Sequence, residues 1–322
     1  MNAQKIDSTL FKFTFLRTDY DSSYIYTPPQ IWDVNTYIST RGYDFTTNHP
    51  REGDFITFLP TEKLNLGFGA SYKGFSLSYG FTISSSVNDS TPGSTGFGFL
   101  TSLYAGQHVF DLGFHTTGGY QVIKTDTGTH QQEKIYRSDI RNINILVNYL
   151  YNFNYRRFSF NAAFSSGQVQ LKSAGSPQAG LFLSYFDVHA NDRIVPPNFV
   201  DSATYQNTFS EANLLSLGLI AGYSFTVVFP MHLTFSLSLA PGIAANLGEA
   251  KTDVYHEIGN PLTVSYKLLT RSALAYDAGK HLFVLVSSFT DRTWLRLKPE
   301  DNITLKNQAT TVDFTVGYRF DL

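Results

Sequence analysis

From Lys63 onward the apolar residues fall on every second position: Leu64, Leu66, Phe68, Ala70 and Tyr72, then, after Lys73-Gly74, Phe75, Leu77, Tyr79, Phe81 and Ile83. Successive side chains of a strand point to opposite faces, so this alternation predicts a hairpin with one apolar face. The pattern returns in Phe110 to Thr116, Ile143 to Phe153, Phe158 to Phe164, Leu215 to Val227, Leu233 to Leu239, Val264 to Leu268 and Val312 to Leu322. No stretch shows a helical period, and the chain reads as all-β.

The character of the second face selects the class. A soluble sandwich covers its outer face with Lys, Glu and Asp. Here the alternate positions carry Ser, Asn, Gly, Thr and Gln, as Asn65, Gly67, Gly69, Ser71, Ser76, Ser78, Gly80 and Thr82 illustrate. Small polar residues suit the interior of a barrel whose outside touches lipid. Connections also alternate. Tight turns are expected at 73–74, 105–108, 154–157, 229–231 and 277–281, between polar loops at 84–96, 124–140, 247–262 and 293–307. Short turns at one end and long loops at the other are the outer-membrane pattern. The expected fold is a transmembrane antiparallel up-and-down β-barrel of 12–14 strands, of the bacterial outer-membrane type. Residues 1–30 would form an N-terminal extension and 31–322 the barrel.

Ala212 to Gly248 contains no Asp, Glu, Lys or Arg, but it is not a spanning helix. Such a helix needs about 20 predominantly apolar residues, whereas Ser216, Gly218, Gly222, Ser224 and Thr226 interrupt on a period of two and Pro230 sits where a hairpin turns. Tyr37, Tyr43, Tyr104, Tyr120, Tyr151, Tyr276 and Trp294 are candidates for interfacial girdles. Composition agrees: only 16% of residues are charged although 42% are hydrophobic, a charge content below the usual quarter. An aromatic share of 16% excludes disorder, and a net charge of −2 gives no footprint for nucleic acid. The absence of Cys excludes thiolate catalysis and Cys-ligated zinc. Asn2-Ala3 before Gln4 resembles the tail of a cleaved export signal. The expectation is therefore an exported protein of the bacterial outer membrane with its signal peptide removed.

At the C-terminus Thr315, Gly317, Phe320 and Leu322 resemble the β-signal by which an outer-membrane barrel is recognised by its assembly machinery. A broader resemblance rests on Asp21-Ser22-Ser23-Tyr24-Ile25, the run Leu64 to Gly74, Asn152-Phe153-Asn154 with Arg157-Phe158-Ser159, and above all Lys172-Ser173-Ala174-Gly175-Ser176. In their order along the chain these segments resemble a Bacteroidota family of outer-membrane β-barrel proteins known as a domain of unknown function. The similarity runs from about residue 20 to the end. It implies fold and location and brings no catalytic residues.

Counting candidate strands gives 31–46, 62–72, 75–84, 97–105, 109–122, 141–153, 157–168, 178–188, 212–228, 232–246, 263–276, 281–292 and 308–322. That number is odd, whereas bacterial barrels have even ones. The parity fails between Gln168 and Glu211, so either a strand lies in 197–209, giving fourteen, or the barrel has twelve. Lys172 to Ser176 lies in that stretch. Its Ser173 and Ser176, with Asp187, His189 and Asp192 beyond the next strand, raise the reading of a Ser-His-Asp hydrolase. Against it, no Gly-x-Ser-x-Gly elbow is present, and Ser-Ala-Gly-Ser is ordinary turn chemistry.

His49, His108, His115, His130, His189, His232, His256 and His281 are scattered, and Asp89, Asp126 and Asp253 show no calcium-loop spacing. No metal and no cofactor are expected. Arg41, Arg141, Lys267 and Arg271 read as salt-bridge partners in the lumen. The expected partners are outer-membrane lipid and lipopolysaccharide, the barrel assembly machinery and other envelope proteins, with no nucleic acid. Two functions follow: a non-enzymatic barrel serving as a narrow pore or as a membrane-embedded subunit of an envelope complex, or an outer-membrane lipid hydrolase or acyltransferase using Ser173 or Ser176.

Overall fold

The computed structural model describes residues 19–28, 32–48, 55–61, 63–72, 75–85, 93–125, 131–165, 167–200, 208–251, 258–259, 263–279, 281–298 and 303–320. Its strands are β1 (Ile25–Tyr26), β2 (Trp32–Asn48), β3 (Phe55–Leu59), β4 (Lys63–Tyr72), β5 (Phe75–Ser85), β6 (Thr95–Ala105), β7 (His108–Thr125) and β8 (Gln132–Asn152). They continue with β9 (Val169–Gln170), β10 (Ala174–His189), β11 (Glu211–Phe229), β12 (Leu233–Lys251), β13 (Ile258–Gly259), β14 (Thr263–Ala278), β15 (Leu282–Lys298) and β16 (Ile303–Phe320). One short helix, α1 (Phe160–Phe164), lies between β8 and β9. No helix among the described residues is long and apolar enough to cross a membrane.

The strands close a ring of ten: β2, β3, β7, β8, β10, β11, β12, β14, β15 and β16, every neighbouring pair antiparallel. Closure is made by the terminal strands, β16 pairing with β2 from Thr304 against Asn48 to Phe320 against Trp32. Alternation sets the two faces. Leu217, Leu219, Tyr223 and Phe225 of β11 are exposed on the outside, while Ser216, Ser224 and Thr226 are buried inside. The long strands, up to 21 residues in β8, outrun the 9–11 that a tilted strand needs to span a bilayer. Loops expected at 124–140 and 293–307 are consequently mostly strand. The barrel has a turn end, where β2 begins and β16 ends, and a loop end.

The strand count of 12–14 needs one correction. Residues 157–168 are not a strand. Phe158, Phe160 and Phe164 belong to a connection containing α1, capped by Ser159, whose hydroxyl accepts from the Ala162 amide. Spacings of two and four overlap, so Phe160 and Phe164 also satisfy a helical i, i+4 pair. The expected tight turn at 154–157 is the start of this connection. Of 197–209, Pro197–Phe199 is a 3-10 turn, and 201–207 lie outside the described residues. Removing the false strand leaves twelve candidates, nine of which are ring strands; the tenth, β3, has no counterpart among them, and the closed ring has ten strands rather than 12–14.

The other three, β4, β5 and β6, occupy a wedge. β3 and β4 run on as one line along β2, but on their other side β3 pairs with β7 whereas β4 pairs with β5. β7 divides likewise, with β6 along 108–118 and β3 along 121–125. The switch falls at Gly119, where the β7–β8 register shifts and φ is +83°. Its carbonyl accepts the Ser94 hydroxyl at 2.6 Å, while Ser94 and Thr61 exchange amide-to-hydroxyl bonds of 3.0 and 2.8 Å. This clamp closes the top of the wedge. Below it, β5 pairs with β4 and β6 with β7, and the described residues include no ladder between β5 and β6. A Cβ at Gly119 would meet the Tyr136 hydroxyl at 2.2 Å and would hold left-handed backbone. Left-handed backbone alone costs an L-residue about 1–2 kcal/mol, so Gly119→Ala should lower the temperature at which the purified barrel loses its fast, heat-modifiable gel migration. An unchanged transition would show that this bulge does not hold the wedge.

Candidate functional site

The interior is filled rather than open. At mid-height Arg271 of β14 pairs with Asp111 of β7, and Lys267 of β14 pairs with Asp291 of β15 at 2.6 Å. The Asn148 amide of β8 donates to Asp291 at 3.0 Å and to Asp111 at 3.4 Å, joining the two pairs. β7 and β14 lie five strands apart in the ring of ten, as do β8 and β15, so the network crosses the lumen from wall to wall. Ser102 of β6 donates to Asp111 at 2.6 Å. All of these charged side chains are buried. A second crossing is the reciprocal pair Asn144 and Asn307, at 2.8 and 3.0 Å.

Each end is stopped by chain folded inward. At the loop end the segment after β10 buries Ala190, Ile194, Val195, Phe199 and Phe209 against Phe45, Phe58, Tyr120, Phe186 and Leu295. Arg137 fastens it, donating to the Arg193 carbonyl at 2.9 Å. At the turn end the connection from β8 to β10 inserts Phe158, Phe160 and Ala163 among Val109, Leu150, Phe182, Ile220 and Leu269. Gln170 holds it by donating to the carbonyls of Arg157 (2.6 Å), Lys172 (3.1 Å) and Tyr24 (3.3 Å).

Three of the sequence segments that carry the family resemblance meet here. β1 pairs with β9, Ile25 against Gln170, so residues 19–28 lie against the plug. The Asp21 amide donates to the Arg156 carbonyl at 2.8 Å, and the Leu171 amide to the Tyr24 carbonyl at 2.7 Å. Arg157 and Lys172 both sit 5.2 Å from the Tyr24 ring centre. The Ser23 hydroxyl and then its amide hold the Asp21 carboxyl below the usual carboxylate range. A depressed pKa stabilises the Asp21–Ser23 turn of the docked segment at neutral pH, and that contribution is lost as pH falls through the folded value. Proteolytic cutting near residues 19–28 should therefore speed up on acidification below about pH 4, while cutting that ignores pH would dismiss this role for Asp21.

The motif Lys172, Ser173, Ala174, Gly175 and Ser176 begins β10. Ser176 is fully buried, accepts from the Asn154 amide at 2.8 Å and donates to the Pro177 carbonyl at 2.7 Å. Ser173 accepts from the Val228 amide at 2.9 Å, and the Gly175 carbonyl accepts from Asn154. Asp187 and His189 lie at the other end of the same strand, roughly 40 Å from Ser176 at about 3.3 Å per residue. The structure does not bring the Ser, His and Asp residues together, and the hydroxyls are engaged in backbone bonds. Among the described residues no group of His and acidic side chains could hold a metal.

The C-terminal motif divides by face. Phe320 is exposed on the outside, Gly317 lies under the Phe283 ring, which a Cβ there would meet at 2.2 Å, and Leu322 lies outside the described residues. Thr315 pairs with Tyr37 and Leu285 across the ladders. Arg319 ion-pairs with Asp277 at 2.7 Å and stands 4.8 Å from the Phe283 ring centre. Of the cations expected in the lumen, Lys267, Arg271 and Arg41 are there, but Arg141 belongs to the outward, exposed face. Tyr43, Tyr104 and Tyr120 face inward and are not girdle residues, whereas Tyr276 is exposed outside. Sequence reading missed Asp111, Asp291 and Asn148, because lone polar residues on an alternating strand carry no sign of a partner across the lumen.

This fold defines an outer-membrane-type β-barrel. The model of a family described as a domain of unknown function, DUF4421, matches residues 19–320, and the chain belongs to that family. No curated protein matches it. Among solved structures it is similar to the outer membrane protease OmpT from Escherichia coli, with 8% identity, TM-score 0.42, and coverage of 92% of this chain and 98% of that one. It is also similar to the outer membrane protein OprG from Pseudomonas aeruginosa, with 13% identity, TM-score 0.26, and coverage of 92% and 99%. A third is the Pseudomonas putida toluene transporter TodX, with 8% identity, TM-score 0.28, and coverage of 90% and 89%. These likenesses concern the fold alone.

Removing one partner of a buried ion pair typically costs about 3–5 kcal/mol, because the other charge is left uncompensated. Arg271→Met should therefore lower barrel stability by that order in urea titration, and adding Asp111→Leu should restore a large part of it. Additive losses would contradict a coupled network. Ser176→Ala, which strands a buried amide, should cost about 1–3 kcal/mol, and the more exposed Ser173→Ala less.

Proposed function

We propose that the protein is a non-enzymatic barrel of the bacterial outer membrane that conducts no solute and acts as a membrane-embedded subunit of an envelope complex. The observation that carries this reading is the doubly stopped, cross-braced lumen. A pore needs a continuous path, and here the path would run through an inward-folded segment at each end and a buried ion-pair network between them. The hydrolase reading has no support in the geometry, since among the described residues the hydroxyls of Ser173 and Ser176 hydrogen-bond backbone groups and no His, Asp or Glu.

In this reading the outer apolar face meets lipid and, at the loop end, lipopolysaccharide. The turn end is periplasmic, and residues 19–28 with the plug present a polar surface there to other envelope proteins. The assembly machinery would read the strand containing Thr315, Gly317 and Phe320 before β16 closes on β2.

Reconstituted into planar bilayers, the protein should give no stepwise conductance, and it should turn over neither phospholipid nor lipopolysaccharide. A steady unitary conductance would return the pore reading. Lipid turnover abolished by Ser173→Ala or Ser176→Ala in an intact barrel would install the hydrolase.

A further inference from the structure

The ring closes without the chain that precedes it. β16 pairs with β2 from Trp32 onward, whereas β1 pairs only with β9, in a sheet of its own. Among the described residues, the hydrogen bonds and ion pairs that leave residues 19–28 all end between Tyr155 and Leu171, on the turn-end plug. Besides the backbone bonds of Asp21 and Tyr24, the Tyr155 hydroxyl donates to the Asp19 carboxylate at 3.0 Å, Arg156 Nε to the Asp19 carbonyl at 3.3 Å and Gln168 Nε2 to the Thr27 hydroxyl at 2.9 Å. Ile25 is 3% exposed and its neighbour Tyr26 42%. Residues 19–28 therefore belong mechanically to the plug and not to the wall.

The bonds continue inward. The Ser159 hydroxyl, which caps α1, donates to Gln168, and the Ser159 amide donates to Gln170 Oε1 at 3.2 Å. Gln168, Gln170 and Ser159 are all buried. Next to the cap, the Phe160 ring centre lies 6.0 Å from that of Tyr104 and 5.9 Å from the Arg271 guanidinium. One line of contacts thus runs from Thr27 and Tyr24, through two buried glutamines and the cap of α1, to the brace at mid-height. Without residues 19–28, Gln168 loses Thr27, the Leu171 amide and Gln170 lose the Tyr24 carbonyl, and the apolar side chain of Ile25 leaves its place. Buried donors left unpaired are disfavoured, and these regain partners by meeting water.

We infer that residues 19–28 are a latch, whose docking on β9 keeps the turn-end plug in the barrel and whose withdrawal lets the plug leave while the wall and the brace stay in place. A ladder of two residues a side is marginal by itself, so the latch is the part of this end that opens first. In the subunit reading above, on which only this consequence rests, a periplasmic partner that takes up residues 19–28 exposes the plug.

The chain has no cysteine, so Ala163→Cys, 1% exposed in the parent, reports on the plug alone. In detergent, a charged thiol reagent should label it about ten-fold faster when Ile25→Asp is added, and an excess of the synthetic peptide of residues 19–28 should restore protection. Tyr26→Asp, on the exposed side of the same strand, should leave the rate unchanged. Ser265→Cys, buried beyond the brace, should stay unlabelled with Ile25→Asp. If Ile25→Asp does not fold, a site-specific protease sequence placed between Pro28 and Trp32, cut and washed after assembly, removes the latch from a finished barrel, with the same result expected. The latch is overturned if Ala163→Cys stays as protected without residues 19–28 as with them, if Tyr26→Asp exposes it equally, or if Ser265→Cys becomes reactive only together with it, which would mean a loosened barrel. Labelling of Ser265→Cys in the parent contradicts the closed lumen instead and leaves the latch standing.

Discussion

Lys267 and Arg271, one above the other on the luminal face of β14, reach toward two aspartates contributed by different strands, and one asparagine on the far wall ties the aspartates together. Removed from water, each charge would be costly alone, and each becomes tolerable only with its partner and its additional hydrogen bonds in place. In a ring of ten strands the walls are close enough for such bonds to cross the lumen. Satisfying the charges therefore means occupying the middle of the barrel, and that single constraint shapes the rest of the interior. Arg271 also lies 5.9 Å from the ring centre of Phe160 and 5.0 Å from that of Phe289, so the brace and the turn-end plug form one packed unit.

The wall shows the opposite economy at one place. Where β3 gives way to β4, β5 and β6, the clamp of Thr61, Ser94 and Gly119 lets three strands enter below a ring that is already closed above them. The barrel is thus shut along its axis, and among the described residues no ladder joins β5 to β6. A closed lumen fits the proposed subunit, held in the membrane by its apolar exterior.

Much of the fold was legible because alternation has a cause that acts locally: Leu217, Leu219 and Tyr223 must face lipid, Ser216 and Ser224 must not, and the period of two records it. The family segments were also visible, although the reason for Lys172 to Ser176 was not, since Asn154, Tyr24 and Gln170, which give that stretch its partners, are distant in kind and follow no spacing rule. The false strand at 157–168 arose where phenylalanines satisfy both periods, and only their burial inside the barrel end decides for α1. The ring number was hidden for a different reason. Whether a strand joins the ring depends on which edge it meets, and nothing in the composition of Thr95 to Ala105 records that, among the described residues, β6 pairs with β7 alone. Asp111, Asn148 and Asp291 were invisible singly because their meaning lies in a contact across the whole chain.

The chain contains no cysteine, so a single thiol reports cleanly on access to the lumen. Ser265, fully buried on the inward face of β14 between the two stops, is the position to probe, with exposed Ser22 as the reference. In intact proteoliposomes a charged, membrane-impermeant thiol reagent should label Ser22→Cys readily from whichever side it faces and leave Ser265→Cys unlabelled from both. Labelling of Ser265→Cys at a rate comparable to Ser22→Cys would mean that water and solutes traverse the barrel, and the closed, cross-braced lumen would be contradicted.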